Sequence, residues 1–233
     1  MTIKYYKVGG AVRDEILGVR SKDIDFAVEA DSYEEMRDDL LSKGSIIWQE
    51  RPEFFAIRAK HPDFGPVDFT LCRKEGFYSD NRHPDSVEIG TIYDDLARRD
   101  FTVNAIALDF TETSSTTLID PHGGVIDISK NLLRCVGSPE ERFTEDPLRI
   151  LRAVRFHIVR GFDLDFDLEV SLSSFPLIDG LKKIPLERIY EELNKCFAHD
   201  TWNTLMFLDK HEYLKDVIFL EMGLKLAPRI NGD

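Results

Sequence analysis

Behind Gly9-Gly10, apolar residues recur at helical spacing: Val12, Ile16 and Leu17 line one side of a stretch that stops at Gly18, a natural helix C-terminus. In "KDIDFAV" (22–28) the period drops to two, so Ile24, Phe26 and Val28 face one way and Asp23, Asp25 and Ala27 the other. That pattern predicts a strand with one apolar face and one face bearing two neighbouring negative charges. Helical spacing returns in "DSYEEMRDDLLSKG" (31–44), where Ser32 and Glu35 form a capping-box pattern, Met36, Leu40 and Leu41 a stripe, and Gly44 the stop. "SIIWQ" (45–49), "FFAIRAK" (54–60) and "PVDFTLC" (66–72) read as strands separated by Pro and Gly turns. Residues 80–100 are polar and loop-like. In "YDDLARRDFTVNAIALDF" (93–110) a short helix leads into an Arg-Arg-Asp triplet and an apolar segment whose type the pattern leaves open, and "LIDPHGGVIDISKNLL" (118–133) reads as a turn-rich connection.

The texture changes after residue 133. "TEDPLRILRAVRF" (144–156), "PLERIYEELNKCF" (185–197) and "TWNTLMFLDKHEYLKDVIF" (201–219) are all helical in period, with few strand signals between them. The expected organisation is a mixed α/β domain over 1–133 followed by a helical one, with no internal repeat.

Composition narrows the class. The 233 residues, 42 % hydrophobic and 31 % charged, suit an ordinary globular chain of one large or two small domains. No apolar run is long enough to span a membrane, and "MTIKYYKVGG" lacks the apolar core of an export signal. Cys72, Cys135 and Cys196 are odd in number and far apart, so neither a disulfide framework nor a cysteine zinc site is suggested, and a cytoplasmic location is expected. A net charge of −13 argues against a surface that wraps nucleic acid everywhere. The charge is uneven, however: residues 134–160 hold six arginines against four acids. Any phosphate contact must therefore be local, since counterion release needs basic groups only at the footprint.

The Asp23/Asp25 pair is where chemistry enters. Like charges at that spacing repel, and a divalent cation held by hard oxygen ligands offsets the repulsion. Asp68, alternating with Val67 and Phe69, is a candidate third carboxylate. A solvated strand edge is the plainer account of D-x-D taken alone. Gly9-Gly10 before a helix suits a phosphate, with Arg13 on the first turn, although a simple turn and a surface ion pair explain those residues as well.

Four segments in order carry a resemblance: "VGGAVRDEILG…KDIDFAV", "RKEGFYSDNRHPDSVEIGTIYDDLARRDFTVNAIALD", "LIDPHGGVIDI" and "RFTEDPLRILRAVRF". Together they resemble the motif series of class II tRNA nucleotidyltransferases, which are the CCA-adding enzymes and the bacterial poly(A) polymerases of the DNA polymerase β-like superfamily. The resemblance implies an α+β fold: a polymerase β-like head (mixed sheet with helices, 1–133), then an all-α neck that selects the base (134–200) and a short helical remnant of the body (201–233). It implies Asp23, Asp25 and Asp68 as catalytic ligands of Mg²⁺, although many relatives carry Glu at the third position. Arg98, Arg99 and Asp100 would bind the ribose and phosphates of the incoming nucleotide, with Asn104 in support.

The resemblance also makes Asp146 and Arg149 readers of the base. Cytosine and adenine both present an exocyclic amine donor beside a ring-nitrogen acceptor; Asp146 can accept from the first and Arg149 donate to the second. Uracil and guanine reverse that pattern, so the implied activity is addition of CMP and AMP from CTP and ATP to an RNA 3′-hydroxyl, the tRNA 3′ end, without a template. Arg152 and Arg155 continue the row at three-residue steps and suit either the triphosphate, the RNA end or plain surface charge. Glu187 and Arg188 read as braces between helices. The His199-Asp200 dipeptide has no companion histidines, and His61, His83, His122, His157 and His211 are scattered, so no histidine metal site is expected. Relatives continue into helical body and tail regions that grip tRNA, whereas this sequence ends at 233. A homodimer or helper subunit in place of that grip is one expectation. A-only or poly(A) addition, or a non-catalytic nucleotide- or RNA-binding module, are the alternatives.

Overall fold

A computed structural model of the chain describes residues 3–21, 23–76, 87–111 and 116–226. His83 and the first part of the expected polar loop lie outside the described residues. The chain divides into two compact units, with the cut between Lys130 and Asn131.

The first unit opens with β1 (Lys4–Val8), α1 (Gly10–Ile16), β2 (Ile24–Glu29), α2 (Tyr33–Ser42), β3 (Ile46–Arg51), β4 (Ala56–His61) and β5 (Gly65–Leu71). It continues through β6 (Arg73–Glu75), β7 (Val87–Ile89), α3 (Ile92–Ala97), a 3₁₀ turn (Thr102–Asn104), β8 (Ala107–Asp109), β9 (Thr117–Ile119) and α4 (Gly124–Ser129). Seven strands form one sheet in the order β3-β4-β5-β2-β1-β8-β9. Its only parallel pair among these is β2 with β5; the rest are antiparallel. The period-two pattern of β2 is realised directly. Phe26 and Val28 join Ile57, Ala59, Val67, Phe69 and Leu71 in a core closed by Tyr33, Met36 and Leu40 of α2. The helix is fixed at its start by Ser32, whose hydroxyl accepts from Glu35 N–H at 3.0 Å, while the Glu35 carboxylate reaches back to Asp31 N–H rather than to the cap residue. The opposite face of the sheet carries Asp25, and α1 packs against β1 and β2.

Three segments add to or differ from expectation. The undecided stretch after the Arg-Arg-Asp triplet becomes a 3₁₀ turn and then β8, which pairs with β1. The expected turn-rich connection holds a strand and a helix. Asp120 takes the place of a cap, its two oxygens accepting from Gly124 N–H at 2.7 Å and Val125 N–H at 2.9 Å. Residues 87–89 are also a strand, paired with β6. Gly124 is required sterically: a Cβ there would lie 2.1 Å from the Thr102 carbonyl oxygen and 2.8 Å from Ile106 Cγ1. Gly124→Ala must push α4 off the Thr102–Asn104 turn, and a loss of roughly 2–3 kcal/mol in denaturant unfolding is expected.

The second unit holds β10 (Leu132–Leu133), α5 (Pro139–Glu145), α6 (Leu148–Arg160), β11 (Asp163–Leu164), α7 (Phe166–Ser171), α8 (Phe175–Asp179), α9 (Leu186–His199), α10 (Thr201–Lys210), α11 (Glu212–Asp216) and a π-helical turn (Val217–Glu221). The stretch 144–156 is not one helix. Asp146, preceding Pro147, is driven to an extended backbone (φ −140°, ψ 98°), which ends α5 and starts α6 two residues later. The stretch 201–219 likewise breaks at His211. Helices α6 and α9 are tied by Arg155, whose Nε donates to Glu192 Oε2 at 2.5 Å. Cys72, Cys135 and Cys196 are all buried, and among the described residues no helix is long and apolar enough to cross a membrane.

Candidate active site

Residues that pair across neighbouring strands share a face, and the register therefore decides what surrounds Asp25. Across the parallel ladder Asp25 lies opposite Asp68, and across the next ladder Asp68 lies opposite Arg58. Arg58 Nη1 donates to Asp68 Oδ2 at 3.1 Å. Asp25 is solvent-exposed, yet protein crowds its carboxylate enough that burial is the largest cause raising its pKa above the ordinary aspartate value. The charge of Asp68 raises it further and Asp23 adds a smaller push, while Arg99 and Arg58 oppose them. On its other side Asp25 meets Gly9, which follows β1 with φ +71°: a Cβ built there would come 3.1 Å from Arg99 Nη1 and 4.0 Å from Asp25 Oδ2. Gly9, Arg99, Asp25, Asp68 and Arg58 thus form one continuous row.

Asp23 lies just before β2, where Ser21 Oγ donates to its backbone carbonyl. The expected set of three metal-binding carboxylates is not assembled: among the described residues no three His, Cys, Asp or Glu side chains are gathered closely enough to hold a metal ion. Asp68 is drawn towards Arg58 instead. The carboxylate pair Asp25/Asp68 nonetheless suits a divalent cation. It is an all-oxygen donor set of like charges whose mutual repulsion already raises one pKa, and a guanidinium supplies part of the missing positive charge. Mg²⁺ is commonly held by one or two carboxylates with substrate phosphates completing its shell.

The Arg98-Arg99-Asp100 triplet is held from within. Asp95, only 1 % exposed, accepts from both arginines: Arg98 through Nε at 3.1 Å and through Nη2, and Arg99 through Nη2 at 2.8 Å and Nε at 3.2 Å. Burial alone would raise the Asp95 pKa, but the charges of Arg99 and Arg98 hold it below the ordinary range. Arg99 Nη1 also donates to the Asn104 carbonyl at 3.1 Å. Asp100 and Asn104 are buried, with Asn104 Nδ2 donating to Asp100 Oδ1 at 3.2 Å. Asn104 Oδ1 in turn accepts from Arg13 Nη1 at 2.7 Å, and Arg13 forks onto Asp14 Oδ1 at 2.9 and 2.6 Å. Arg13 is 5 % exposed, so its ion pair is a buried one and not a surface contact. Gly10 abuts the same guanidinium, its Cβ position being 3.4 Å from Arg13 Nη2.

In the second unit, Asp146 Oδ1 accepts from Leu148 N–H at 3.0 Å, and Arg149 Nη1 donates to Glu145 Oε2 at 2.8 Å. The helix break falls at Asp146, which therefore sits just before α6 while Arg149 lies in its first turn. Arg152 is half-buried on α6. Arg155 pairs with Glu192 of α9, a partner to which its spacing gave no pointer. Glu187 is exposed, and Arg188 Nη1 is buried without a hydrogen-bond partner among the described residues.

Three residues were missed as parts of the site. Asp95 had a local signal, its spacing of three and four from the arginines. Arg58 had one too, being as far before the turn at residue 63 as Asp68 is after it. Glu145 had no signal that separated it from its neighbours.

Comparisons with known proteins give the family of the chain. The model of the poly A polymerase head domain matches residues 5–134, more than half of the chain. The chain belongs to the poly A polymerase head-domain family. Among curated relatives, the CCA-adding enzyme of Streptococcus pyogenes serotype M2 is 35 % identical over 229 residues, covering 94 % of this chain and 53 % of that protein. The CCA-adding enzyme of Lactococcus lactis subsp. cremoris is 37 % identical over 227 residues, with the same coverages. A crystal structure of the Bacillus stearothermophilus CCA-adding enzyme with CTP superposes at TM-score 0.73, with 33 % identity over 89 % of this chain and 48 % of that one. A tRNA nucleotidyltransferase complexed with primer tRNA and an ATP analogue gives 0.74 at 29 % identity, over 97 % of this chain and 61 % of that one. The chain spans about half the length of the curated relatives it matches. Its mixed sheet and helices are the nucleotidyltransferase head of the family, with helices following, as the motif series implied.

Proposed function

We propose that this member of the family is a metal-dependent nucleotidyltransferase that adds CMP and AMP from CTP and ATP to the 3′-hydroxyl of an RNA, the tRNA 3′ end. The observation that carries this reading is the same-face register of Asp25 and Asp68, flanked by Gly9 and Arg99. Relatives named as CCA-adding enzymes support the substrate class. Asp25 and Asp68 would hold Mg²⁺, with Asp23 close enough to contribute to its field. Bound there, the ion would make the acceptor hydroxyl more acidic and stabilise charge on the α-phosphate. The acceptor hydroxyl gives up its proton to solvent, its oxygen bonds to the α-phosphorus, the bond from that phosphorus to the bridging oxygen breaks, and pyrophosphate leaves with both electrons of that bond.

The protein's own residues position the reactants. Arg99, clamped by Asp95, presents a fixed guanidinium beside Gly9, where the absence of a Cβ lets a phosphate approach. Arg98, fixed on the same acid, is placed to serve the phosphates with it. The network of Asp100, Asn104 and Arg13 holds the turn that carries them, and Asp100 is the ribose acceptor the motif implies. Asp146 and Arg149 select the base by accepting from the exocyclic amine and donating to the ring nitrogen.

The test is an incorporation matrix of four labelled triphosphates against tRNA lacking its terminal nucleotides. CTP and ATP are expected to be used, and UTP and GTP to fall behind by about 10- to 100-fold or more, since each unpaired buried group is worth about 1–3 kcal/mol. Arg149→Ala should narrow that gap. Incorporation of ATP alone would move the reading to A-only or poly(A) addition, and no incorporation by folded, CTP-binding protein would make it a binding module.

A further inference from the structure

Beyond the nucleotide side of Asp25, the sheet continues across β5, β4 and β3, and here a local irregularity changes what faces outward. The ladder between β3 and β4 pairs Ile47 with Ala59 but then Gln49 with Arg58, so Trp48 is an extra, bulged residue. Without the bulge, Gln49 and Arg51 would share the core face with Ile47. With it they join Arg58, Asp68 and Asp25 on the carboxylate face. The result is a polar cavity of about 260 Å³ lined by Gln49, Arg51, Arg58, Asp68 and Thr70. With its amide turned over, Gln49 would accept through its oxygen from Arg51 Nε at 3.1 Å and Nη2 at 3.0 Å.

We propose that this groove seats the phosphate backbone of the acceptor RNA strand, and that Arg58 is a positioning residue which passes from Asp68 to an RNA phosphate when a cation takes Asp68. The inference rests on the nucleotidyl-transfer reading and extends it to the second substrate. Transfer needs two anionic partners on either side of the reacting oxygen, and Asp25 has an arginine on each side: Arg99 with Gly9 towards β1, and Arg58 then Arg51 towards the sheet edge. The groove is smaller than the roughly 300–1,000 Å³ of sites that enclose a whole small molecule, so it suits a stretch of chain passing through it. In a protein of net charge −13, two arginines brought to one groove by a bulge are a footprint of the local kind that phosphate contact requires. Gln49 and Thr70 add uncharged groups able to bond phosphate and ribose oxygens. The Arg58–Asp68 pair is about half exposed on both sides, and such pairs are weak, so exchange of partners is easy.

The test measures RNA binding without turnover. Tritiated CTP binding by equilibrium dialysis and fluorescence anisotropy with tRNA lacking its terminal nucleotides are read separately for wild type, Arg51→Gln, Arg58→Gln, and the charge-keeping Arg51→Lys and Arg58→Lys. Each Gln variant should weaken RNA binding about 3- to 10-fold and reduce the slope of log affinity against log salt by about 0.7, and in Arg51→Gln, which touches neither carboxylate, CTP affinity and melting temperature should be unchanged. The Lys variants should keep most of the affinity and the slope. Mg²⁺ should tighten RNA binding by wild type but not by Arg58→Gln. Wild-type affinity and slope in both Gln variants would overturn the groove while leaving the transferase reading intact, and so would an equal loss of CTP binding in Arg51→Gln. Failure of wild type to bind or extend any RNA would overturn both.

Discussion

Asp25→Asn is expected to abolish nucleotidyl transfer while making the fold more stable. The loss follows from the ligand set: with one of two paired carboxylates neutral, cation affinity falls, and with it several kcal/mol of transition-state stabilisation. At about 1.4 kcal/mol per factor of ten, the rate should drop on the order of 10³-fold or more. The gain in stability follows from the raised pKa. Burial and the charge of Asp68 disfavour the ionised form in the folded state. A group whose folded pKa lies above its unfolded value carries no penalty below the unfolded pKa, and destabilises as pH rises through the folded one. The Asn variant should therefore melt higher than wild type at neutral pH, and the two curves should converge as pH falls towards the ordinary aspartate value of 3.8. Added Mg²⁺ should raise the melting temperature of wild type only. Lower stability of Asp25→Asn at pH 7 in metal-free buffer would contradict this reading of the site.

The largest loss of stability is expected from Asp95→Ala. Asp95 is buried and is the shared acceptor for Arg98 and Arg99. Truncating it leaves two guanidinium groups without that acid, and breaking a buried pair in this way costs about 3–5 kcal/mol. It also frees Arg99 from its place beside Gly9, so transfer should fall in whatever fraction remains folded. Asp95→Asn, which keeps the shape, should lose less stability yet still weaken triphosphate binding. Because the arginines hold the Asp95 pKa low, its contribution is present above the unfolded value and is lost as pH falls below it. Urea unfolding of the three proteins at neutral and acid pH measures each part. Equal midpoints at neutral pH would show that the clamp carries no weight.

Local signals made some of this structure legible in the sequence. The helices behind Gly9 and Ser32 and the strand around Asp25 follow from spacing and caps within a few residues, and the structure forms each of them. The segments that resisted reading depend on distant partners. Ala107–Asp109 becomes a strand because Tyr6, Lys7 and Val8 lie beside it, some hundred residues earlier in the chain. The helix after Gly123 relies on Asp120 as a substitute cap and on a glycine pressed against Thr102.

The same division holds in the site. Asp25, Asp68 and the Arg98-Arg99-Asp100 triplet stood out as residue types at telling spacings. What each one touches did not. The contact of Arg13 with Asn104 spans 91 positions. The placing of Gln49 and Arg51 turns on one bulged residue. The effect of Pro147 on Asp146, whose extended backbone ends one helix before the next begins, emerged only from the backbone.

Titration of Mn²⁺ into the protein in the presence of CTP, followed by electron paramagnetic resonance, tests the shared cation site most directly. Wild type is expected to bind the ion stoichiometrically with the nucleotide, and Asp25→Asn and Asp68→Asn each to weaken binding by about tenfold or more. Equal Mn²⁺ affinity in all three folded proteins would contradict it.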